Sequence, residues 1–163
     1  MCGIVAYIGP QNAYEIVIKG LQRLEYRGYD SSGVAIHNSE KVNVFKQKGK
    51  VQDLIDFAAD KDTQGKLAIG HTRWATHGNI SFENAHPLTS ENKIAVVHNG
   101  IIENFEILKK DLIELGYNFI SETDTEVLPH LFMKYMKLGN DLLESGRLVL
   151  KDIKGAFAFV AMS

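Results

Sequence analysis

Several strands written into this chain are apolar on both faces, and this restricts its architecture more than any other feature. The run from Ala156 to Met162 is uninterrupted, residues 2 to 8 read as a buried strand closed by Gly9-Pro10, and Leu67 to Thr72 and Ile94 to His98 are further strands. A strand with no polar face has to be covered on both sides. Helical stripes are available for this. Ala13, Ile16, Val17, Leu21 and Leu24 recur at helical spacing over 13 to 25, and Val51, Leu54, Ile55, Ala58 and Ala59 mark a shorter second helix. Strands and helices alternate in blocks, which predicts a stack of sheets covered by helices.

The remaining segments fill in this outline. Residues 33 to 37 and 41 to 47 predict a hairpin around Asn38-Ser39-Glu40, whereas Arg27 to Gly33 is polar and glycine-rich and reads as a loop. The polar stretch from Trp74 to Asn92 exceeds the usual connection length, and long loops inside a compact domain tend to be functional. Asn99-Gly100 is a tight-turn signal between the apolar runs 94 to 97 and 101 to 102. Downstream, Asn104 is a candidate N-cap for a helix carrying Phe105, Leu108, Leu112 and Leu115, with Gly116 just past its end. Another helix is expected from near Thr125 to about Lys137, with Pro129 tolerated in or near its first turn, and a weaker one over 141 to 151. The last strand ends at Ser163 without a polar tail, which reads as a sequence cut short.

Composition narrows the function classes. A chain of 163 residues with a net charge of -2 is of one-domain size, and its basic residues are scattered rather than striped, so neither nucleic acid nor a membrane is an expected partner. The apolar start from Ile4 to Ile8 is too short for a signal-peptide core. With a single cysteine no internal disulfide can form, and a cytoplasmic location is expected.

That cysteine is Cys2. Once the initiator methionine is removed, the residue carries both a thiol and an α-amine, two kinds of group whose ordinary ranges in peptides lie close together, near about 8. The thiolate can attack an acyl carbon while the amine shuttles the proton. Its other reading is a small buried hydrophobe opening a strand. Gly3 beside it allows substrate or another backbone to come close.

Four more polar islands interrupt the hydrophobic pattern. Arg27 to Gly33 can bring a guanidinium and Asp30 near the nucleophile, or form a turn held by Asp and Ser side chains. In His71 to Gly78, Arg73 offers a planar fork for a substrate carboxylate, with a surface ion pair as its alternative, while His71 reads as a core or capping histidine. In His98-Asn99-Gly100, an asparagine amide and a glycine N–H can converge as an oxyanion needs, or the pair can be a hairpin turn. In Ser121 to Glu126, Asp124 can hold an ammonium group or cap a helix. Together the islands make an inventory suited to glutamine. They include no zinc-ligand spacing, phosphate loop or dinucleotide fingerprint, so neither metal nor cofactor is expected.

The runs Met1-Cys2-Gly3-Ile4-Val5, Arg23 to Gly33, His71 to Gly78, His98-Asn99-Gly100 and Ser121 to Glu126 closely resemble the glutaminase (class II glutamine amidotransferase) domains of glutamine-fructose-6-phosphate aminotransferases, within the N-terminal-nucleophile hydrolases. The Leu-Glu-Tyr-Arg-Gly-Tyr-Asp-Ser-Ser-Gly run distinguishes these from the amidophosphoribosyltransferase class. The resemblance implies an α+β fold, a four-layer αββα sandwich, truncated here on its C-terminal side. Residues 1–163 would be an incomplete glutaminase domain lacking its sugar-isomerase domains. By the same resemblance Cys2 is the nucleophile, Asn99 and Gly100 form the oxyanion hole, Arg73 binds the carboxylate and Asp124 the amine of L-glutamine. Thr76 and His77 line that pocket, Arg27 supports it, and Trp74 sits where ammonia leaves. Fructose 6-phosphate would be met only through the missing isomerase domains of a homo-oligomeric enzyme. The alternatives are a non-catalytic module of the same fold and a glutaminase domain serving a different acceptor.

Overall fold

The strands lie in two opposed sheets: Ser31–His37 and Leu67–Arg73 are buried along nearly their whole length, whereas Gly3–Ile8 and Gly155–Met162, expected to be covered on both faces, are edge strands that stay partly exposed. A computed structural model describes residues 2–38, 41–74 and 79–163. Its elements run β1 (Gly3–Ile8), α1 (Ala13–Leu24), β2 (Ser31–His37), β3 (Val42–Lys48), α2 (Val51–Ala58), β4 (Leu67–Arg73), β5 (Leu88–Ser90), β6 (Ile94–Ile102), α3 (Phe105–Glu114), α4 (Val127–Lys137), α5 (Leu142–Asp152) and β7 (Gly155–Met162). The first sheet has the order β1-β4-β2-β3 and the second β5-β6-β7, with antiparallel pairing in both.

Side-chain alternation assigns each face. On β2, Val34 and Ile36 pack with Val17 and Leu21 of α1 and Leu54 of α2, while Ala35 turns inward with Ile69, Ala95, Val97 and Met162. On β6, Ile94 and Val96 turn outward onto Leu128, Leu131 and Phe132 of α4 and Val149 of α5. The layers are therefore helix, sheet, sheet, helix, an αββα sandwich of the α+β class. Val34, Ala35, Ile36, Ile69, Val96 and Val97 have no exposed surface, and each larger aliphatic buried this way contributes about 1.5–3 kcal/mol. The helix starts are held by side chains: Asp141 accepts from Glu144 N at 2.8 Å at the start of α5, and the distant Glu25 Oε1 accepts from Val51 N at 2.7 Å at the start of α2. No helix among the described residues is long and apolar enough to cross a membrane.

Four local expectations are corrected. Ser31, Ser32 and Gly33 are not loop but the first residues of β2, laddered to β3 on one side and β4 on the other. Their small side chains suit this, since a Cβ on Gly33 would run into the carbonyl oxygen of His86 where the following segment crosses the strand. Asn99-Gly100 is not a hairpin turn. β6 continues through it, with Asn99 opposite Ala158 and Gly100 opposite Phe157, because β7 offers a partner along its whole length. The stretch after Trp74 is not all loop either: Leu88–Ser90 forms β5, and Asn84, Ala85 and His86 ahead of it are buried.

At α3, Asn104 does not cap the helix it precedes. Its amide instead donates to Asp152 O at 2.8 Å and accepts from Lys154 N at 2.8 Å, clamping the α5–β7 connection. The hairpin expected from 33 to 47 is present as β2–β3, although Ser39 and Glu40 at its tip lie outside the described residues. Pro129 falls within the first turn of α4, as expected.

Candidate active site

Cys2 stands just ahead of β1, the edge strand that pairs with β4, so the polar end of β4 is delivered beside it. Gly3 is opposite Thr72, and a side chain there would meet Thr72 Oγ1 and Leu24 Cδ1, each at 2.8 Å. What comes close at Gly3 is therefore the domain's own packing. The Trp74 amide donates to Cys2 Sγ at 3.2 Å, and the thiol lies 3.6 Å from Trp74 O. The indole itself is half-exposed, and Gly28, at φ +110°, lies so close beneath it that a Cβ would overlap the ring.

The second sheet supplies the opposite wall. Asn99 on β6 reaches across and donates from Nδ2 to Cys2 O at 3.3 Å, while its Oδ1 lies 2.7 Å from His71 Nε2. Gly100 follows with φ +124°, and a Cβ there would strike Ala156 O on β7, so only glycine fits. Between the walls opens a cleft of about 770 Å³ that also touches Arg27, Arg73, Trp74 and Asp124.

Two charged groups flank this cleft. Arg73, at the end of β4, is only 5% exposed, with Nη1 3.3 Å from Asn79 O and 3.9 Å from Asp30 Oδ1. The surface ion pair considered from sequence is thus an ion pair held inside the structure. Asp124 opens a 3-10 turn before α4 and accepts from Ile102 N at 2.6 Å, which keeps its carboxylate at the cleft wall. The histidines nearby are held neutral. Burial pushes His71 down to about 4 and His86 well below its ordinary value, with neighbouring histidines and Arg73 adding to the effect. Burial likewise lowers His98, opposed by the Asp124 charge. A guanidinium and a carboxylate therefore line the same cleft as a set of neutral histidines.

Cys2, Arg27, Arg73, Trp74, Asn99, Gly100 and Asp124 all line this one cleft, although they come from both sheets and the turns between them. Thr76 and His77 lie outside the described residues. Sequence reasoning missed two contributions. His71 reads from sequence as a core histidine and is buried, but it grips the Asn99 amide; His86 is not singled out by sequence, yet its ring packs against His71 at 4.3 Å with a 42° tilt and its Nδ1 accepts from His98 N at 3.4 Å. Neither contact leaves a local signal, since each joins residues from different strands or loops.

Comparison with known proteins bears on the same residues. Residues 71–163 match the family model described as a glutamine amidotransferase domain. The chain is 54% identical over 99% of its length to glutamine–fructose-6-phosphate aminotransferase (isomerizing) of Bacteroides thetaiotaomicron, and 52% identical over 100% of its length to that of Aquifex aeolicus, covering 27% of each relative. It therefore spans about a quarter of the length of these relatives. Among solved structures, glutamine phosphoribosylpyrophosphate amidotransferase from B. subtilis superposes with a TM-score of 0.83 at 33% identity, covering 98% of this chain and 35% of that one. The family match begins at His71 and takes in Arg73, Asn99, Gly100 and Asp124, and on this basis the chain belongs to the glutamine amidotransferase domain family.

Proposed function

We propose that this chain hydrolyses the side-chain amide of L-glutamine to glutamate and ammonia through a thioester on Cys2. The carrying observation is the meeting of Cys2 and Asn99 across the two sheets, with the asparagine donor 3.3 Å from the cysteine carbonyl oxygen. After removal of Met1, the freed α-amine accepts the thiol proton and the thiolate attacks the amide carbon. Negative charge gathers on the amide oxygen, where Asn99 Nδ2 and Gly100 N–H stabilise it. The protonated amine returns its proton to the departing nitrogen, ammonia leaves, and water then hydrolyses the thioester to release glutamate. Arg73 holds the α-carboxylate and Asp124 the α-ammonium, while Arg27 supports the rim. Thr76 and His77 complete the pocket on this reading.

The ammonia is destined for fructose 6-phosphate in glucosamine 6-phosphate synthesis, made by sugar-isomerase domains outside residues 1–163 in a cytoplasmic homo-oligomer, with Trp74 at the exit of the cleft. Identities of 52–54% to relatives named for that acceptor, against 33% to the phosphoribosylpyrophosphate enzyme, support this choice.

Ammonia release from glutamine, assayed with N-terminal mass spectrometry to establish that Met1 is gone, tests the reading. Activity should vanish in Cys2→Ala, and a glutamine-like electrophile should label Cys2 alone. Processed protein that neither releases ammonia nor takes the label would sink the proposal in favour of a non-catalytic module.

A further inference from the structure

We infer that His71 is the positioning residue of the oxyanion hole: its Nε2–H holds Asn99 Oδ1 and thereby aims Asn99 Nδ2 at the reacting carbonyl. The inference rests on the glutaminase reading above. A primary amide has an accepting end and a donating end of nearly the same shape, and only one orientation serves an oxyanion. Reversed, Asn99 would turn its own oxygen toward the developing negative charge and oppose the reaction it should assist.

What fixes the orientation is the 2.7 Å contact between His71 Nε2 and Asn99 Oδ1. A carboxamide oxygen can only accept, so Nε2 carries the hydrogen. His71 is buried and neutral at ordinary pH, so it has one ring proton to place, and its Nδ1 meets no side-chain acceptor among the described residues. The tautomer of a histidine on the first sheet thus determines which end of an asparagine on the second sheet faces the substrate. Two further contacts brace the assembly. The His86 ring packs on His71 at 4.3 Å, and His86 Nδ1 accepts from the main-chain N–H of His98, the residue just before Asn99. One histidine holds the asparagine side chain while another holds the strand that carries it.

The test compares His71→Leu with His71→Gln in Met-processed protein. Glutamine can place an N–H near the position of Nε2, whereas leucine fills similar space without a donor. His71→Leu should lower kcat by about 100-fold, the scale of losing one oxyanion donor, with KM for glutamine changed less than threefold, and His71→Gln should restore most of it. Equal loss in both variants, an unchanged kcat, or a change confined to KM would overturn the inference. Nitrogen NMR of the wild-type protein gives a readout independent of turnover: Nε2 should bear the proton, and the Asn99 amide signals should shift in His71→Gln. A proton on Nδ1 refutes the inference even if glutaminase activity is normal. Wild-type protein without ammonia release refutes the glutaminase reading, while the tautomer still decides this one.

Discussion

Asn84 and Glu122 grip each other through both ends of the asparagine amide, Glu122 N donating to Asn84 Oδ1 at 2.8 Å and Asn84 Nδ2 donating to Glu122 Oε2 at 3.2 Å. The same Nδ2 reaches Asn79 O at 2.9 Å, and that oxygen also receives Arg73 Nη1 at 3.3 Å. Asn79 N completes the circuit by donating to Glu122 Oε2 at 3.2 Å. A single buried asparagine therefore ties Arg73, the proposed carboxylate binder, to the segment that leads into Asp124.

Asn84→Ala should accordingly disturb both ends of the cleft. It takes a partner from the Glu122 amide and from the Asn79 carbonyl, both on exposed residues that water can reach, so the denaturant midpoint should fall only modestly. KM for glutamine should rise more than kcat falls, because Asn84 lies behind the binding groups and not beside Cys2. A variant with normal KM and normal stability would show that the circuit is not what holds Arg73.

Arg73 calls for a charge-conserving substitution. Removing the guanidinium in Arg73→Ala takes the charged partner from Asp30 in a nearly buried site, although Ser31 Oγ still donates to Asp30 Oδ1 at 2.9 Å, so a binding defect there would be mixed with a folding defect. Arg73→Lys keeps the charge and loses the planar fork. Its glutamine KM should rise by about 10- to 100-fold, the scale of a charge-assisted hydrogen bond of about 1.5–3 kcal/mol, with a melting temperature near that of the wild type.

Gly100→Ala should fail on two counts. The residue sits at φ +124°, and its new methyl group would collide with Ala156 O on β7. A side chain forced into positive φ loses more than about 1 kcal/mol, and the shifted backbone would carry the neighbouring N–H away from the oxyanion. Thermal unfolding and kcat should both fall, the latter by more than the stability loss explains.

Acid should destabilise the fold before ordinary carboxylates titrate. His71 is held down to about 4 against an ordinary 6.5, and His86 and His98 are lowered as well. The unfolded chain therefore binds more protons than the folded one in this window. The stability these groups contribute is fully present above about pH 6.5 and is lost as pH falls toward about 4, at up to about 1.4 kcal/mol per pH unit for each histidine. Glu126, whose burial is outweighed by donors from His130, Ile120 and Ser121, is held below its ordinary value and extends the loss to lower pH. Denaturant midpoints from pH 4 to 8 measure the slope, and His71→Gln should flatten it.

Much of this architecture was legible because its pattern is local. The stripe Ala13, Val17, Leu21 marks α1 from sequence alone, and the unbroken apolar run at 156 to 162 marks β7. What escaped was decided by distant partners. Ser31 and Ser32 look like turn residues and become strand because β3 and β4 flank them, while Asn99-Gly100 carries a turn signature that the β7 ladder overrides. The site shows the same division. Cys2, Arg73, Asn99 and Asp124 stood out as polar residues in apolar surroundings. The contact of His71 with Asn99 did not, because nothing near residue 71 says that its ring meets an asparagine 28 positions later.

Cys2, the proposed nucleophile, and the Asn99 amide that would stabilise its intermediate are anchored in different sheets, and between those sheets lies a thin filling that includes Ala35, Ile69, Ala95 and Val97. That filling acts as a spacer. Its side-chain volumes set the gap that Asn99 spans to reach Cys2, so a methyl group added at Ala35 or Ala95 would jack the sheets apart and detune catalysis without touching a single cleft residue.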